Sequence, residues 1–415
     1  MPNDISTQHG ITVGDIPLDR IDVSNPQLFY KNTVGEYFAR LRKEDPVHYC
    51  KDSAFGSYWS VTKHKDIMHV DINHDIFSSD VVNGGITIAD RPMEERLPMF
   101  IAQDPPKHNE QRKIVSPIVG PGNLSAMTAT IRKRTQRVLD SLPRGETFDW
   151  VDKVSIELTT QMLATLFDFP FEDRRLLTWW SNVATSIPGV DGVVPSEEAY
   201  RMELGKCLAY FGGLWNQRAK RPPGNDLVSM LAHSPLTARM DQREFLGNVI
   251  LLIVGGNDTT RNSMSGGLHA VLSNPGTYQR LRGDLSLIAN MIPEIVRWQT
   301  PLAHMRRTAI VDTELGGKLI RKGDKVIMWY LSGNRDEEAI ERPDEFIIDR
   351  ARPRQHLSFG FGIHRCVGNR LAELQLQILW EEMVARFKSV ELVEAPKRTL
   401  SNFVHGFTSM PVRVV

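Results

Sequence analysis

The stretch Phe359-Gly360-Phe361-Gly362-Ile363-His364-Arg365-Cys366-Val367-Gly368 constrains this chain more than any other. It sets a cysteine at the end of a glycine-punctuated loop, directly before a strong helix-forming run, Arg370-Leu371-Ala372-Glu373-Leu374-Gln375-Leu376. A sulfur there sits at a helix N-terminus, where unpaired backbone N–H groups and the helix dipole favour its thiolate form. Glycines on both sides remove Cβ atoms, so backbone can lie close against a large flat ligand. Phe359 and Phe361 can shield the sulfur from water. Two plainer readings compete. A lone cysteine is usually a small buried hydrophobe, and Cys366 with His364 would make a nucleophile–base pair. The pair is the weaker idea, because residues two apart on one loop rarely converge with a third orienting group.

The pattern F-G-x-G-x-H-x-C-x-G, followed by Leu371-Ala372-Glu373, resembles the haem-ligand loop of the cytochrome P-450 monooxygenases. The resemblance implies that Cys366 holds haem iron as a thiolate, a ligand that pushes electron density toward O–O cleavage. It places Phe359, Gly360 and Gly368 against the haem b macrocycle. It also implies a mainly α fold with minor β, in which a long central helix crosses the haem between a helix-rich lobe and a small β-rich lobe.

The chain has 415 residues, with Lys+Arg and Asp+Glu both at 50, so the formal net charge is zero. That balance argues against a general nucleic-acid binder. No linker, charge block, low-complexity tract or repeat interrupts the chain, which favours one domain over residues 1–415. Cys50, Cys207 and Cys366 are too scattered for a zinc cluster or a disulfide framework and suit a reducing compartment. Met1 to Asn25 is polar and lacks the apolar run of a signal peptide or membrane anchor. The expectation is a soluble, cytoplasmic protein.

Patterning predicts an amphipathic helix over Thr33–Glu44, a hairpin from Val47–Cys50 and Ser57–Val61, and a further helix over 63–73. Ser78 to Gln103 is irregular, with Gly84-Gly85, Pro92 and Pro98. A loop of that length is usually a functional lid or disordered, and Ile86, Ile88, Leu97, Met99, Phe100 and Ile101 favour the lid. Helical periodicity dominates from Pro105 to about Asn290, and alternating or β-branched runs return near 308–330 and 388–413.

Asp241 to Ser273 reads as one helix, far longer than average. Its middle carries Gly255-Gly256-Asn257-Asp258-Thr259-Thr260, and each glycine costs roughly 1 kcal/mol relative to alanine. A long helix weakened at its centre breaks a local rule, and such breaks tend to mark function. Gly255 and Thr259 share a face, which can leave a gap for dioxygen beside the Thr259 hydroxyl. The plainer alternative is that Thr259 bonds back to the Gly255 carbonyl and bends the helix. Together with Cys366, Asp258-Thr259 resembles the acid–alcohol pair of the family, with Thr259 serving the oxygen site and Asp258 relaying protons. An ordinary i,i+3 ion pair of Asp258 with Arg261 is the alternative, and both can hold. Gly255 stands where alanine is commoner in the family.

Glu294-Ile295-Val296-Arg297 matches the family's E-x-x-R helix, with Arg350 as its third member, and the resemblance assigns all three to structure around the cysteine loop. Asp104-Pro105-Pro106-Lys107-His108-Asn109-Glu110-Gln111-Arg112 resembles D-P-P-x-H-x-x-x-R. It implies that His108 and Arg112, four apart on one face, hold the haem propionates, with Arg307 and His364 as partners elsewhere. The proline pair would occupy the first turn of that helix.

Leu97–Ile101, Ser116–Val119, Asn257–Gly267 and Pro301–Arg307 resemble the soluble bacterial branch that hydroxylates the terminal carbon of alkanes and fatty acids. An apolar channel lined by Leu302, Phe100, Ile101, Phe403 and Gly255 would present a methyl end by positioning. Each of these is otherwise an ordinary core residue. Nothing in the chain resembles a flavin or nicotinamide domain. The resemblance therefore implies electrons from NAD(P)H through a [2Fe-2S] ferredoxin and its reductase, docking on Lys107, Arg112, Lys113 and Arg365. Competing functions are a peroxide-driven variant, which would usually replace Asp258-Thr259, and a non-catalytic haem sensor. Terpenes, steroids and alkylbenzenes are the alternative substrates.

Overall fold

The computed structural model describes residues 12–415. Of the polar N-terminal stretch Met1–Asn25, the first eleven residues lie outside the described ones. The chain opens with helices α1 (Pro26–Tyr30) and α2 (Val34–Glu44), then the hairpin β1 (Val47–Cys50) and β2 (Tyr58–Val61). Next come α3 (His64–Ile72), β3 (Phe77–Ser78), α4 (Lys107–Val115), α5 (Pro121–Asp140) and β4 (Thr147–Asp149). A π-helical turn, Val151–Ile156, runs into α6 (Glu157–Phe167), followed by α7 (Arg175–Thr185), α8 (Glu197–Arg218) and α9 (Leu227–His233). The long α10 (Gln242–Ser273) precedes α11 (Thr277–Gly283), α12 (Leu287–Gln299) and the strands β5 (Met305–Ala309), β6 (Thr313–Leu315), β7 (Lys318–Ile320) and β8 (Lys325–Met328). After α13 (Tyr330–Gly333) and α14 (Asn369–Arg386), the chain ends in β9 (Val390–Leu392), β10 (Lys397–Arg398), β11 (Phe407–Ser409) and β12 (Pro411–Val414). Helix covers 52% of the protein and strand 11%, so the expectation of a mainly α fold with minor β holds.

Helix α10 is the axis of the larger lobe and touches α6, α7, α12 and α14. It starts where the pattern placed it, because the Asp241 carboxylate accepts the Glu244 N–H at 2.8 Å and caps the first turn. Buried Leu268, Met291 and Trp380 join α10, α12 and α14 in one apolar core. A second core gathers Phe167, Trp180, Phe211 and Ile253 from α6 to α10. The smaller lobe is a sheet of order β1-β2-β8-β5-β3, in which β2 and β8 run parallel and the other neighbours antiparallel. Every residue of β8 is buried, as a strand covered on both faces requires.

The hairpin, the helices over 34–44 and 64–72 and the returning strands match the sequence pattern. Two local expectations are corrected. The 105–106 prolines precede α4 and do not sit in its first turn, since Pro106 occupies the cap position. Strand β4 lies within the stretch read as helical. Its three residues pair with β12, more than two hundred positions away in the chain, a partner that local periodicity cannot reveal.

Glu294, Arg297 and Arg350 form one buried cluster. Arg297 donates Nε and Nη2 to the two Glu294 oxygens, both at 2.8 Å, and Arg350 Nε reaches Oε2 at 2.8 Å. The Ile347 N–H adds a bond at 2.9 Å, and Arg297 Nη1 spends its donors on the Asn334 and Pro343 carbonyls. The cluster thus ties α12 to the irregular chain between α13 and the cysteine loop. Burial pushes the Glu294 carboxyl up, but the hydrogen bonds and charges of Arg297 and Arg350 outweigh it and hold the group below its ordinary value.

Glu294→Gln leaves two buried guanidiniums without a counter-charge and is expected to cost about 3–5 kcal/mol of stability. A lower urea midpoint by circular dichroism would show it. The native carboxyl is depressed, so its contribution is complete above the unfolded carboxylate range and disappears as pH falls through the lowered folded value. The gap between variant and wild type should therefore be constant from neutral pH down to about pH 5 and narrow below about pH 4.

Candidate active site

One cavity of about 450 Å³ lies between the two lobes, within the range of small-molecule sites. Its walls come from the 81–102 segment, α4, α10, the 301–307 segment, the cysteine loop with the start of α14, and the 401–403 turn. Cys366, Thr259, Gly255, His108, Arg112, Arg307 and His364 all line it, as do Phe359, Gly360, Gly368, Leu302, Phe100, Ile101 and Phe403. Asp258, Glu294, Arg297 and Arg350 do not.

The cysteine loop closes on itself through the Cys366 N–H, which donates to the Phe359 carbonyl at 2.7 Å. Gly360 and Gly362 both hold left-handed backbone, with φ of +64° and +63°. A side chain at Gly362 would also come within 2.6 Å of the Asp71 carbonyl, so glycine there is required twice over. Phe359 faces the cavity as expected, whereas Phe361 packs into the β-lobe core and does not shield the sulfur. Cys366 lines the cavity as an exposed residue, and the protein packed around its sulfur pushes the thiol up by desolvation. The Gly368 and Asn369 N–H groups and the Arg112 and Arg365 charges pull the other way without prevailing. The helix terminus alone therefore does not make a thiolate. A cation bound at the sulfur would complete the balance. Cys50 and Cys207 are buried small hydrophobes, the first pushed by burial to about 12.

Four groups converge beside this loop. The His108 and His364 rings meet edge to face at 4.3 Å, and His364 Nε2 shares a hydrogen bond with Ser79 Oγ at 2.9 Å. His108 Nε2 and His364 Nδ1 are buried and have no hydrogen-bond partner among the described residues. Burial lowers both imidazoles, so they are neutral near pH 7. Arg112 donates to the Arg365 carbonyl, and Arg307 Nη2 to Asp71 Oδ1 at 2.7 Å. Its neighbour Arg306 points away, to Asp90 Oδ1 at 2.6 Å, and Arg307 is the one of the two that lines the cavity. Asp71 is a residue that the sequence did not single out. Its second oxygen accepts the Phe361 N–H at 2.8 Å and the Tyr330 hydroxyl at 3.0 Å, so it joins Arg307 to the cysteine loop.

This donor set fits a haem. It offers a soft sulfur for iron, two unpartnered imidazole nitrogens and two guanidiniums for a pair of carboxylates, and glycines with open space at 255 and 368 where a macrocycle approaches.

On α10, the two glycines serve different ends. A Cβ at Gly255 would meet nothing, so this residue opens space in the cavity, whereas one at Gly256 would strike Leu163 of α6 at 2.6 Å. Leu251, Gly255, Thr259 and Ser263 all line the cavity at four-residue spacing. Extending the pattern of Gly255 and Thr259 by one turn each way would have found the other two. The Thr259 hydroxyl donates to the Gly255 carbonyl at 2.7 Å, as its plainer reading required. Its oxygen still has lone pairs for a donor in the cavity. Asp258 is fully buried on the neighbouring face, ion-paired with Arg261 at 2.5 Å and accepting Ser181 Oγ at 2.9 Å. It approaches the cavity through Thr185 of α7, whose Oγ1 stands 3.5 Å away.

The 81–102 segment is ordered by short turns and covers the cavity. Phe100 N–H donates to Asn248 Oδ1 of α10 at 2.9 Å, and the Arg306 N–H to the Ile86 carbonyl at 2.8 Å. Lys107, expected on a docking face, is paired with Glu244 at 2.7 Å, while Lys113 and Arg365 are exposed. Among the described residues no helix is long and apolar enough to cross a membrane.

The family model described as Cytochrome P450 matches residues 216–413. The solved structure of CYP153D17 from Sphingomonas sp. PAMC 26605 is similar, at 50% identity and a TM-score of 0.89 over 96% of this chain and all of that one. Linalool 8-monooxygenase of Pseudomonas putida is 35% identical over 96% of this chain and its own full length. Methyl-branched lipid omega-hydroxylase of Mycobacterium tuberculosis is 31% identical over 90% of each chain. The haem-sensor alternative is set aside with these enzymes as relatives. The chain belongs to the cytochrome P450 family: it is a haem-iron monooxygenase that works with dioxygen and external electron donors.

Proposed function

We propose that this monooxygenase hydroxylates the terminal carbon of linear medium-chain alkanes or fatty acids, with Cys366 as the iron ligand and Thr259 as the hydroxyl of the oxygen site. The observation that carries the reading is the meeting of Cys366 and Thr259, from two separate elements, in one narrow and largely apolar cavity. The relative named methyl-branched lipid omega-hydroxylase supports the same reading. The linalool enzyme favours a second reading, a terpene substrate.

Bound haem supplies the activation of dioxygen and the insertion of one oxygen atom into a C–H bond. His108, Arg112, Arg307 and His364 hold its carboxylates, and Asp71 keeps Arg307 aimed. Thr259 accepts or passes a proton at its hydroxyl oxygen, fixed in direction by the bond to Gly255. Asp258 draws on Arg261 and the α7 hydroxyls and exchanges protons with the cavity by way of Thr185. Phe359 and the apolar lining exclude water. A terminal methyl C–H bond is stronger than a methylene one, so attack there demands positioning over reactivity, and Leu302 forms the constriction that admits only the chain end. Electrons come from NAD(P)H through a [2Fe-2S] ferredoxin and its reductase, docking near exposed Lys113 and Arg365.

Cys366→Ala should abolish the red-shifted absorbance of the reduced carbon monoxide complex, and an unchanged spectrum would remove the sulfur from the metal. Thr259→Ala should retain haem and the substrate-induced spectral shift while product per NAD(P)H falls by roughly 10²-fold, with the lost equivalents recovered as hydrogen peroxide. Leu302→Ala should raise subterminal alcohols from dodecane or dodecanoate at least severalfold relative to the terminal one. Gas chromatography of the products decides it, and a product panel that includes terpenes tests the second reading.

A further inference from the structure

Besides Arg112 next to the cysteine loop, the apolar cavity carries a second cation with no carboxylate partner among the described residues. Arg96 lines it and is half-buried, yet its guanidinium meets only backbone carbonyls: Arg91 O at 2.7 Å through Nε, and Val81 O at 2.9 Å and Val82 O at 3.5 Å through Nη1. Nη2 donates to no protein acceptor among the described residues. Three other arginines at this rim have carboxylate partners, Arg91 with Glu197 at 3.4 Å, Arg201 with Glu95 at 3.3 Å and Arg306 with Asp90 at 2.6 Å, whereas Arg243 donates to the Met93 and Arg96 carbonyls from outside the cavity lining. Carbonyl oxygens orient a guanidinium without cancelling its charge, and a partly desolvated cation without an anion is costly. Tyr200 also lines the cavity, steered by the Arg91 guanidinium 4.8 Å over its ring, and its hydroxyl has no protein partner among the described residues. Leu97, Met99 and Ile187 beside them are apolar, and Glu95, which also lines the cavity, is paired with Arg201.

We infer that Arg96, assisted by the Tyr200 hydroxyl, is the anchor for a substrate carboxylate. The inference rests on the terminal-hydroxylation reading and narrows it: the substrate is a linear fatty acid, not an alkane. The acid end is held at the lid, and the chain runs through apolar walls to Leu302 and Thr259. A guanidinium with two free N–H bonds matches a carboxylate, and the anion supplies the charge that the protein withholds. Fixing one end of a chain also limits how far the other can slide, which serves selection of the terminal carbon.

The test is titration of the holoenzyme with dodecanoate and with methyl dodecanoate, read by the substrate-induced change in the haem spectrum. Wild type should bind the acid more tightly than the ester, and added salt should weaken only the acid. Arg96→Gln should raise the dissociation constant for dodecanoate roughly ten- to hundredfold and leave the ester within about twofold; Arg96→Lys should recover part of the loss. Equal loss for acid and ester would make Arg96 a brace for the lid and overturn the inference. So would equal affinities in wild type, although terminal products from both ligands would leave the broader reading standing. If neither linear ligand perturbs the spectrum, both fall together.

Discussion

Asp71 connects more of this site than any other side chain, though it never reaches the cavity. One oxygen takes the Arg307 guanidinium at 2.7 Å; the other takes the Phe361 N–H and the Tyr330 hydroxyl. A buried carboxylate is tolerable only when it is so satisfied. Meeting that demand binds α3, β5, α13 and the cysteine loop to each other. The loop in turn allows no side chain at Gly362, because Asp71's own carbonyl occupies the space. The position of the sulfur is therefore set from the β lobe, while the α14 terminus behind it determines only its direction. The Arg307 guanidinium and the backbone of the loop that presents Cys366 to the cavity share one carboxylate.

Helix α10 solves a different problem, since it must be both a rigid axis and a porous wall. Asn257 and Asp258 face α6 and α7 and are buried among hydroxyls, with Thr159 Oγ1 donating to Asn257 at 2.9 Å and Ser181 to Asp258 at 2.9 Å. Gly255 and Thr259 face the cavity. Neighbouring faces of one turn thus carry a satisfied polar seam and an open gap. The seam holds the helix in place where two glycines weaken it, and it sets the acid one residue behind the alcohol. The side-chain link from the buried acid toward the cavity runs through Thr185, whose Oγ1 is 3.5 Å from Asp258 Oδ2.

What the sequence disclosed was local. The cysteine loop, the Gly255–Thr259 face, the His108–Arg112 spacing and the Glu294–Arg297 pair each lie within a few residues, where spacing alone decides which side chains can meet. Hidden features depend on partners far along the chain. Asp71 finds Arg307 and Phe361 only through the sheet and loop packing, β4 finds β12, and Gly256 is explained by Leu163. Lys107 reads as a free surface charge until Glu244 arrives from α10. Phe361, expected over the sulfur, turns into the β-lobe core because Gly360 and Gly362 reverse the chain on either side of it.

The lid shows how the site keeps order where an element of regular structure is missing. Lys325, buried in the central strand, donates to the Phe55 and Ile88 carbonyls at 2.6 and 3.0 Å and to Asp90 at 2.7 Å. His304 accepts the Ile88 N–H at 3.3 Å and donates to the Asn402 carbonyl at 2.9 Å. Burial lowers that imidazole to about 4, so at neutral pH it is uncharged and free to do both. The backbone polar groups of the lid are thus satisfied at its base by side chains of the β lobe, which removes the need for a helix there. Beyond Asp90 the ties come from α10, with Arg243 donating to the Met93 and Arg96 carbonyls at 2.9 and 2.6 Å and the Phe100 N–H to Asn248 at 2.9 Å. The rim adds the ion pairs of Arg91, Glu95, Glu197 and Arg201, which solvent screens. The lid is thus held from both lobes, its base by the β sheet and its far end by the long helix that also walls the cavity.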